Sequence, residues 1–268
     1  MTVASAVERE WRRFTPVERI ARWSVYFLVV AAVVVSVQTI DVIPEFLADA
    51  PEQIADLFAR MWPVDFAHYP RAIHEALIET LHIASLGTLL TLVFAVPVGL
   101  LAARNVTPFR PLNWLAQFIL VASRSVNSLV WALLFVAIVG PGALAGTLAI
   151  AFRSIGFVGK LLAEALEESS KGSIEALTAA GAPFPSILLK GYWPQVQPSF
   201  WSIALFRWDI NVRESAVLGL VGAGGIGIAL DDALNFFFWD RVAMILLTIF
   251  AVVILAEIVV TALRRRII

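Results

Sequence analysis

The chain repeatedly runs for close to twenty residues with almost no charge, the length a helix needs to cross the hydrocarbon core of a bilayer. Trp23–Ile40 is the first such run, and Ala72–Ala103, Leu112–Val139, Ala143–Val158, Val196–Leu220 and Arg241–Leu263 come after it. Only helices or closed barrels satisfy their backbone groups in lipid, so six such runs imply an all-α, polytopic membrane protein. The composition agrees. The chain is 60% hydrophobic and 15% charged, whereas soluble domains are about 45–50% apolar. The expected organisation is a polar, basic segment over 1–22, then one transmembrane domain over 23–268. A cleaved signal peptide is the competing reading of the first run. Its apolar core would be shorter and would end at a small-residue cleavage site. The run instead ends in Gln38-Thr39-Ile40-Asp41-Val42-Ile43-Pro44, so an uncleaved first span is preferred.

Charge sets the orientation. Arg9, Arg12, Arg13, Arg19, Arg22, Arg104, Arg110, Lys171, Lys190, Arg264, Arg265 and Arg266 cluster at alternate ends of the spans. The opposite loops carry Asp41, Glu45, Asp49, Glu52, Asp56 and Asp65, then Asp231, Asp232 and Asp240. Excess Lys and Arg mark the cytoplasmic side, which predicts a multi-pass protein of the cytoplasmic membrane with both termini inside. The segment 41–71 is then external. Ile54, Leu57, Phe58 and Met61 recur in it at helical spacing, giving an amphipathic helix suited to the outer interface or to a neighbouring span, closed by Trp62 and Pro63.

The longest polar interruption is 164–198, expected on the cytoplasmic side. Glu175–Ala182 reads as a short helix of small residues that Pro183 and Pro185 should stop. With Ala176, Ala179, Ala180 and Gly181 it can approach a partner's backbone closely. Glu175, Ala176 and Gly181, with Pro194 beyond them, are similar to the cytoplasmic coupling motif of ABC-importer permeases. Leu177 stands where that motif repeats its alanine, and Gly191-Tyr192-Trp193 replaces its Ile-x-Leu.

Charges inside the spans demand an explanation. Arg124, Arg153, Arg207, Asp209, Arg213 and Glu214 fall within them or at their edges. Four arginines facing lipid would cost on the order of 10 kcal/mol on insertion scales. Asp209 and Arg213 are spaced to pair on one helix face, and Arg207, Asn211 and Glu214 share another. Arginine exceeds acid by two in this set. Either these groups satisfy one another between helices, or Arg124, Arg207, Asp209, Asn211, Arg213 and Glu214 line a cationic pathway suited to a small oxyanion, which the guanidinium fork grips in pairs. Arg153 is expected to snorkel toward the cytoplasm.

The run Phe206–Ser215, the adjoining Val217–Gly227, Arg60–Phe66 and Leu129–Val136 resemble the phosphonate-type permeases of ABC importers. That resemblance implies a homodimeric pore, two cytoplasmic ATPase subunits that hold ATP and magnesium, and an external substrate-binding protein. It also implies a cargo of phosphonate, phosphite or phosphate. The alternative within transport is a permease for another solute such as methionine. An intramembrane enzyme would need a nucleophile–base pair or a metal cluster, and none has usable spacing.

Gly222, Gly224, Gly225 and Gly227 fit G-x-G-x-x-G, but no βαβ unit is expected around them. They read as a flexible turn at an outer gate. His74 and His82 stand about 12 Å apart on a helix, too far to share a metal. No metal, no cofactor bound by this chain, no ATP-binding loop, no enzymatic activity of its own and no nucleic-acid partner are expected.

Overall fold

In the computed structural model, residues 14–40 and 44–267 are described, and all their regular elements are helices. Residues 1–13 of the basic segment and 41–43 of the external segment lie outside them. Contacts divide the chain into two compact units that meet between Asp56 and Leu57.

In the first unit, α1 (Pro16–Thr39) opens on a capping box. The Thr15 hydroxyl accepts from the Glu18 amide, and the Glu18 carboxylate accepts from the Thr15 amide at 2.9 Å. None of its residues is buried, and its apolar side chains point outward all round. That surface suits lipid. α2 (Pro44–Met61) crosses from the first unit into the second, and leaves Phe46, Leu47, Ile54 and Phe58 exposed.

The second unit is built on α3 (His74–Ala102) and α6 (Ala143–Glu167), which pack along most of their length. α3 buries Ala84, Gly87, Thr88, Thr91, Ala95 and Gly99, and α6 answers with Thr147, Ile150, Ala151 and Gly159. Small residues let two helices approach until backbone touches backbone, the main source of association where lipid cancels the hydrophobic drive. A Cβ on Gly99 would stand 3.0 Å from the Gly159 carbonyl, and one on Gly159 only 2.6 Å from Leu120 Cδ2. The Thr91 hydroxyl donates across the contact to the Ala151 carbonyl at 3.3 Å.

The apolar run read as one third span is two helices, α4 (Arg110–Arg124) and α5 (Ser128–Val139), bent by 94°. Asn127 caps α5 through its side chain, which accepts from the Leu129 amide at 3.2 Å. Trp131 Nε1 donates back to the Ser123 carbonyl at 3.1 Å and holds the corner. α6 also runs nine residues past the predicted end of the fourth span, to Glu167.

α7 (Lys171–Ala179), the short α8 (Phe184–Ile187) and a π-helical turn over Leu188–Tyr192 lead into α9 (Trp193–Leu218). The polar interruption therefore narrows from 164–198 to 168–192. α9 ends in a glycine turn, and α10 (Ile226–Asn235) and α11 (Trp239–Ile267) complete the described chain. The stretch 221–240, between the last two predicted spans, thus contains a helix. Its apolar residues Ile226 and Ala233 are buried against Ile73, Val242 and Ile245. Among the described residues, four helices are long and apolar enough to cross a membrane, or up to six if each of the two bent pairs counts as one span.

Candidate functional site

The polar groups of α9 form two clusters: Arg207, Asn211 and Glu214 join α6 and α3 in a hydrogen-bonded network, and Asp209 pairs with Arg213 beside it. Arg207, Asp209 and Asn211 are buried. Arg207 Nε donates to Ser154 Oγ of α6 at 2.8 Å, and Arg207 Nη2 meets Glu214 Oε2 at 3.3 Å. The Ser154 hydroxyl donates to Asn211 Oδ1 at 3.2 Å, and Asn211 Nδ2 donates to Thr88 Oγ1 of α3 at 2.8 Å. Phe157 sits under the Arg207 guanidinium, with its ring centroid 5.6 Å from Cζ. Arg207 is therefore held by neighbours on both α6 and α9.

Arg153 finds a partner within the protein. It pairs with Glu214 from across the α6–α9 contact, so one carboxylate serves two guanidiniums. The expectation of snorkelling treated Arg153 as isolated, but a half-buried carboxylate on the adjacent helix offers a charged partner without the long reach to water. Arg213 pairs with Asp209, as their spacing on α9 predicts. The Asp209 side chain is 7% exposed and that of Arg213 is 51% exposed. Arg213 thus presents unpaired donors outward from a spanning helix.

Arg124 is not part of this network. It ends α4 and lines a separate cavity with Arg104, Lys160 and Glu164. Taken together, the two clusters set three guanidiniums against two carboxylates, so the surplus is one positive charge rather than two.

The short helix of the polar interruption is α7, which begins four residues earlier than Glu175–Ala182. Its end is not made by proline. Gly181 adopts φ +72°, its amide donates to the Thr178 carbonyl at 3.0 Å, and the Ala182 amide donates to the Leu177 carbonyl at 3.1 Å. This reciprocal pair closes a helix through a left-handed residue, a role glycine fills without steric cost. Pro183 instead precedes α8 and Pro185 lies in its first turn, where proline's fixed φ is favourable.

Glu175, Ala176, Ala179, Ala180 and Gly181 are exposed, as is Pro194 in the first turn of α9. Ile174 and Leu177 face the opposite way, toward Gly191, where a Cβ would lie 3.2 Å from Leu177 Cδ1. The departure at Leu177 thus sits on the packed side, and the exposed side is small throughout. Gln195 fastens the segment. It accepts from the Ser170 amide at 2.9 Å and donates to Ser173 Oγ at 2.9 Å and the Gly191 carbonyl at 2.7 Å. Helical spacing in the sequence points to neither Gln195 nor Gly191, since nothing in it ties them to α7.

The glycine turn is packed rather than loose. Gly224, Gly225 and Gly227 are buried, the Gly142 amide donates to the Gly222 carbonyl at 2.9 Å, and the Ile226 amide donates to Thr80 Oγ1 at 2.7 Å. A Cβ on Gly224 would stand 2.8 Å from Ala143 backbone. Flexibility was expected from glycine's wide φ range. Here that range is used to bring backbone against backbone, with helices on both sides of the turn.

A profile described as "Binding-protein-dependent transport system inner membrane component" matches residues 95–268, more than half of the chain. The chain belongs to that family. This permease is 43% identical over 204 residues to the phosphite transport system permease protein PtxC of Stutzerimonas stutzeri, covering 76% of this chain and 74% of that one. It is 40% identical over 234 residues to the phosphate-import permease protein PhnE of Mycolicibacterium smegmatis, covering 87% of this permease but 44% of the longer relative. Among solved structures, the inward-facing MetNI methionine ABC transporter superposes with a TM-score of 0.61 at 25% identity, over 73% of this permease and 96% of that chain. The fold is thus that of ABC-importer permeases of this type. The permease is a multi-pass membrane component of a binding-protein-dependent transport system.

Proposed function

We propose that this permease carries a small phosphorus oxyanion (phosphite, phosphonate or phosphate) into the cell, driven by ATP that separate subunits hydrolyse. The 43% identity to a phosphite permease over 204 residues carries the reading. The fold alone would equally suit a methionine importer, but the likeness there is 25%. The one-charge cationic surplus around Glu214 supports an anionic cargo. A modest surplus also suits transport, because a route must bind weakly enough to release.

In this reading both termini and α7 are cytoplasmic. Two copies of the chain form the pore, which would cover the half-exposed Arg213 that lipid could not accept. Two ATPase subunits with ATP and magnesium dock on the exposed face of Glu175, Ala176, Ala179, Ala180, Gly181 and Pro194. An external binding protein delivers the ligand. Arg213, Asp209 and Glu214 line the route, while Arg207 and Asn211 hold it in shape. The packed turn of Gly222, Gly224, Gly225 and Gly227 closes the outer side. ATP binding pulls α7 with the ATPase, and the helices rock as rigid bodies so that access alternates.

The test is uptake of labelled phosphite, phosphonate and phosphate by the assembled complex in proteoliposomes, with Gly181→Trp beside the wild type. Wild-type uptake of at least one of the three is expected. The variant should assemble but lose most ATPase stimulation by loaded binding protein. Normal stimulation in Gly181→Trp would refute the docking role, and methionine uptake without oxyanion uptake would refute the cargo.

A further inference from the structure

We infer that the inner half of the permease contains a second, cytoplasm-facing oxyanion site, in the cavity between α4 and α6, and that its occupancy slows turnover. The inference deepens the proposed function and rests on it for the identity of the anion. The cavity has a volume of about 260 Å³ and is lined by Arg104, Gln117, Arg124, Lys160, Glu164 and Glu167 among others. A water occupies about 30 Å³ of liquid, so the space holds a tetrahedral oxyanion with several waters.

The charges in it are unevenly engaged. Glu164 pairs with Lys160 at 3.0 Å, and Glu167 accepts from the Arg104 backbone amide at 2.9 Å. Among the described residues, the Arg104 and Arg124 guanidiniums make no ion pair or hydrogen bond. Three cations face two carboxylates, and the two arginines supply planar donor forks that match the oxygens of an oxyanion. Gln117 adds an amide that already donates to Asn113 Oδ1 at 3.1 Å.

The cavity also shares one face of α6 with the network. Arg153, Phe157, Lys160 and Glu164 recur on one face of α6. That face begins at the Glu214 pair and ends at the cavity, about 16 Å further along at 1.5 Å per residue. This is about half of a 30 Å hydrocarbon core. Lys160 and Glu164 are each 44% exposed, so this end of the face is open rather than packed. Opposite it α4 comes very close, since a Cβ on Gly156 would overlap Ser123 and the Leu120 carbonyl.

An ion leaving the Arg153–Glu214 level thus meets Arg124 next and Arg104 last. Hydrated and held only by exposed cations, it binds weakly there, as release requires. An ion entering from the cytoplasm would occupy the same place. By bridging Arg124 of α4 and Lys160 of α6 it would hold the two helices together and oppose their separation during the cycle.

The experiment uses the complete transporter in nanodiscs with saturating loaded binding protein. Free phosphite is raised into the millimolar range at constant ionic strength, and ATP hydrolysis is read. Wild-type hydrolysis should fall, and chloride at equal ionic strength should not lower it. Arg124→Gln should raise the half-inhibiting phosphite concentration about tenfold, as expected for the loss of one charge-assisted pair. Superimposed curves, or a wild type insensitive to phosphite, would overturn the site. If Arg124→Gln does not assemble, Arg104→Gln carries the same expectation and the same refutation. A wild type that imports no phosphorus oxyanion yet shows Arg124-dependent inhibition would sink the proposed cargo and leave the site standing. Normal import with unshifted inhibition would do the reverse.

Discussion

Glu214 is the residue on which the membrane-buried charges depend. It neutralises Arg153 and Arg207 at once, from two different helices. Removing one partner of a buried ion pair leaves an uncompensated charge, and costs about 3–5 kcal/mol. Glu214→Gln should therefore lower the thermal stability of the detergent-solubilised permease by roughly that amount, read from the shift in its unfolding midpoint. Replacing the whole triad with Arg153→Met, Arg207→Met and Glu214→Leu should recover most of the loss, since no charge is then stranded. If Glu214→Gln alone leaves the midpoint unchanged, the pairing does not carry stability. The Asp209–Arg213 pair is legible in the sequence because both lie four apart on one helix. The Arg153–Glu214 pair is not, because a contact between helices 61 residues apart leaves no periodic trace. Arg124 groups with the others on charge alone, and its depth on another helix sets it apart.

At the level of elements, α7 is a short helix whose position is set from outside itself. Nine residues do not hold a helix in water unaided. Ile174 and Leu177 seat it on Gly191, Gly181 ends it, and Gln195 ties its first turn to the base of α9. Gln195→Ala should leave the complex assembled, since only part-exposed hydrogen bonds are lost. It should nonetheless raise the ATP hydrolysed per ion transported, measured by parallel uptake and ATPase assays. An unchanged ratio would show that Gln195 does not transmit motion. The spans are legible as apolar runs, but their breaks are less so. Arg124-Ser125-Val126-Asn127 carries a capping asparagine inside an apolar run, a stop-and-start signal that composition averaged over the whole run hides. α10 is hidden by glycine, which marks turns more often than helices.

For the whole molecule, the α3–α6 contact is the frame against which other helices move. Gly87, Thr91, Ala95, Gly99 and Ala103 recur every four residues, a stripe of small residues that becomes a helix–helix seam only once its partner helix is known. Gly159→Val should separate α6 from α3 and from Leu120 of α4 together, because its new side chain meets both. Overpacking typically costs about 1–3 kcal/mol at one site, and here two contacts share it. Loss of folded protein from the membrane fraction is the expected outcome, and wild-type yield and melting would show that the seam tolerates expansion. Six spans, by contrast, come directly from hydropathy, with each bent pair taken as one crossing.

The foot of α9 has a mechanical consequence. The helix runs 26 residues from Trp193 without a break, about 39 Å at 1.5 Å per residue. Gly191, on which Leu177 rests, lies two residues before its start. A pull on α7 is therefore applied close to one end of a rod whose other end adjoins the glycine turn. Tilting such a rod by about 10° carries its far tip about 7 Å, more than the pitch of one helical turn. In the proposed mechanism, a small shift where α7 rests on Gly191 would thus be felt at the backbone contacts of the glycine turn.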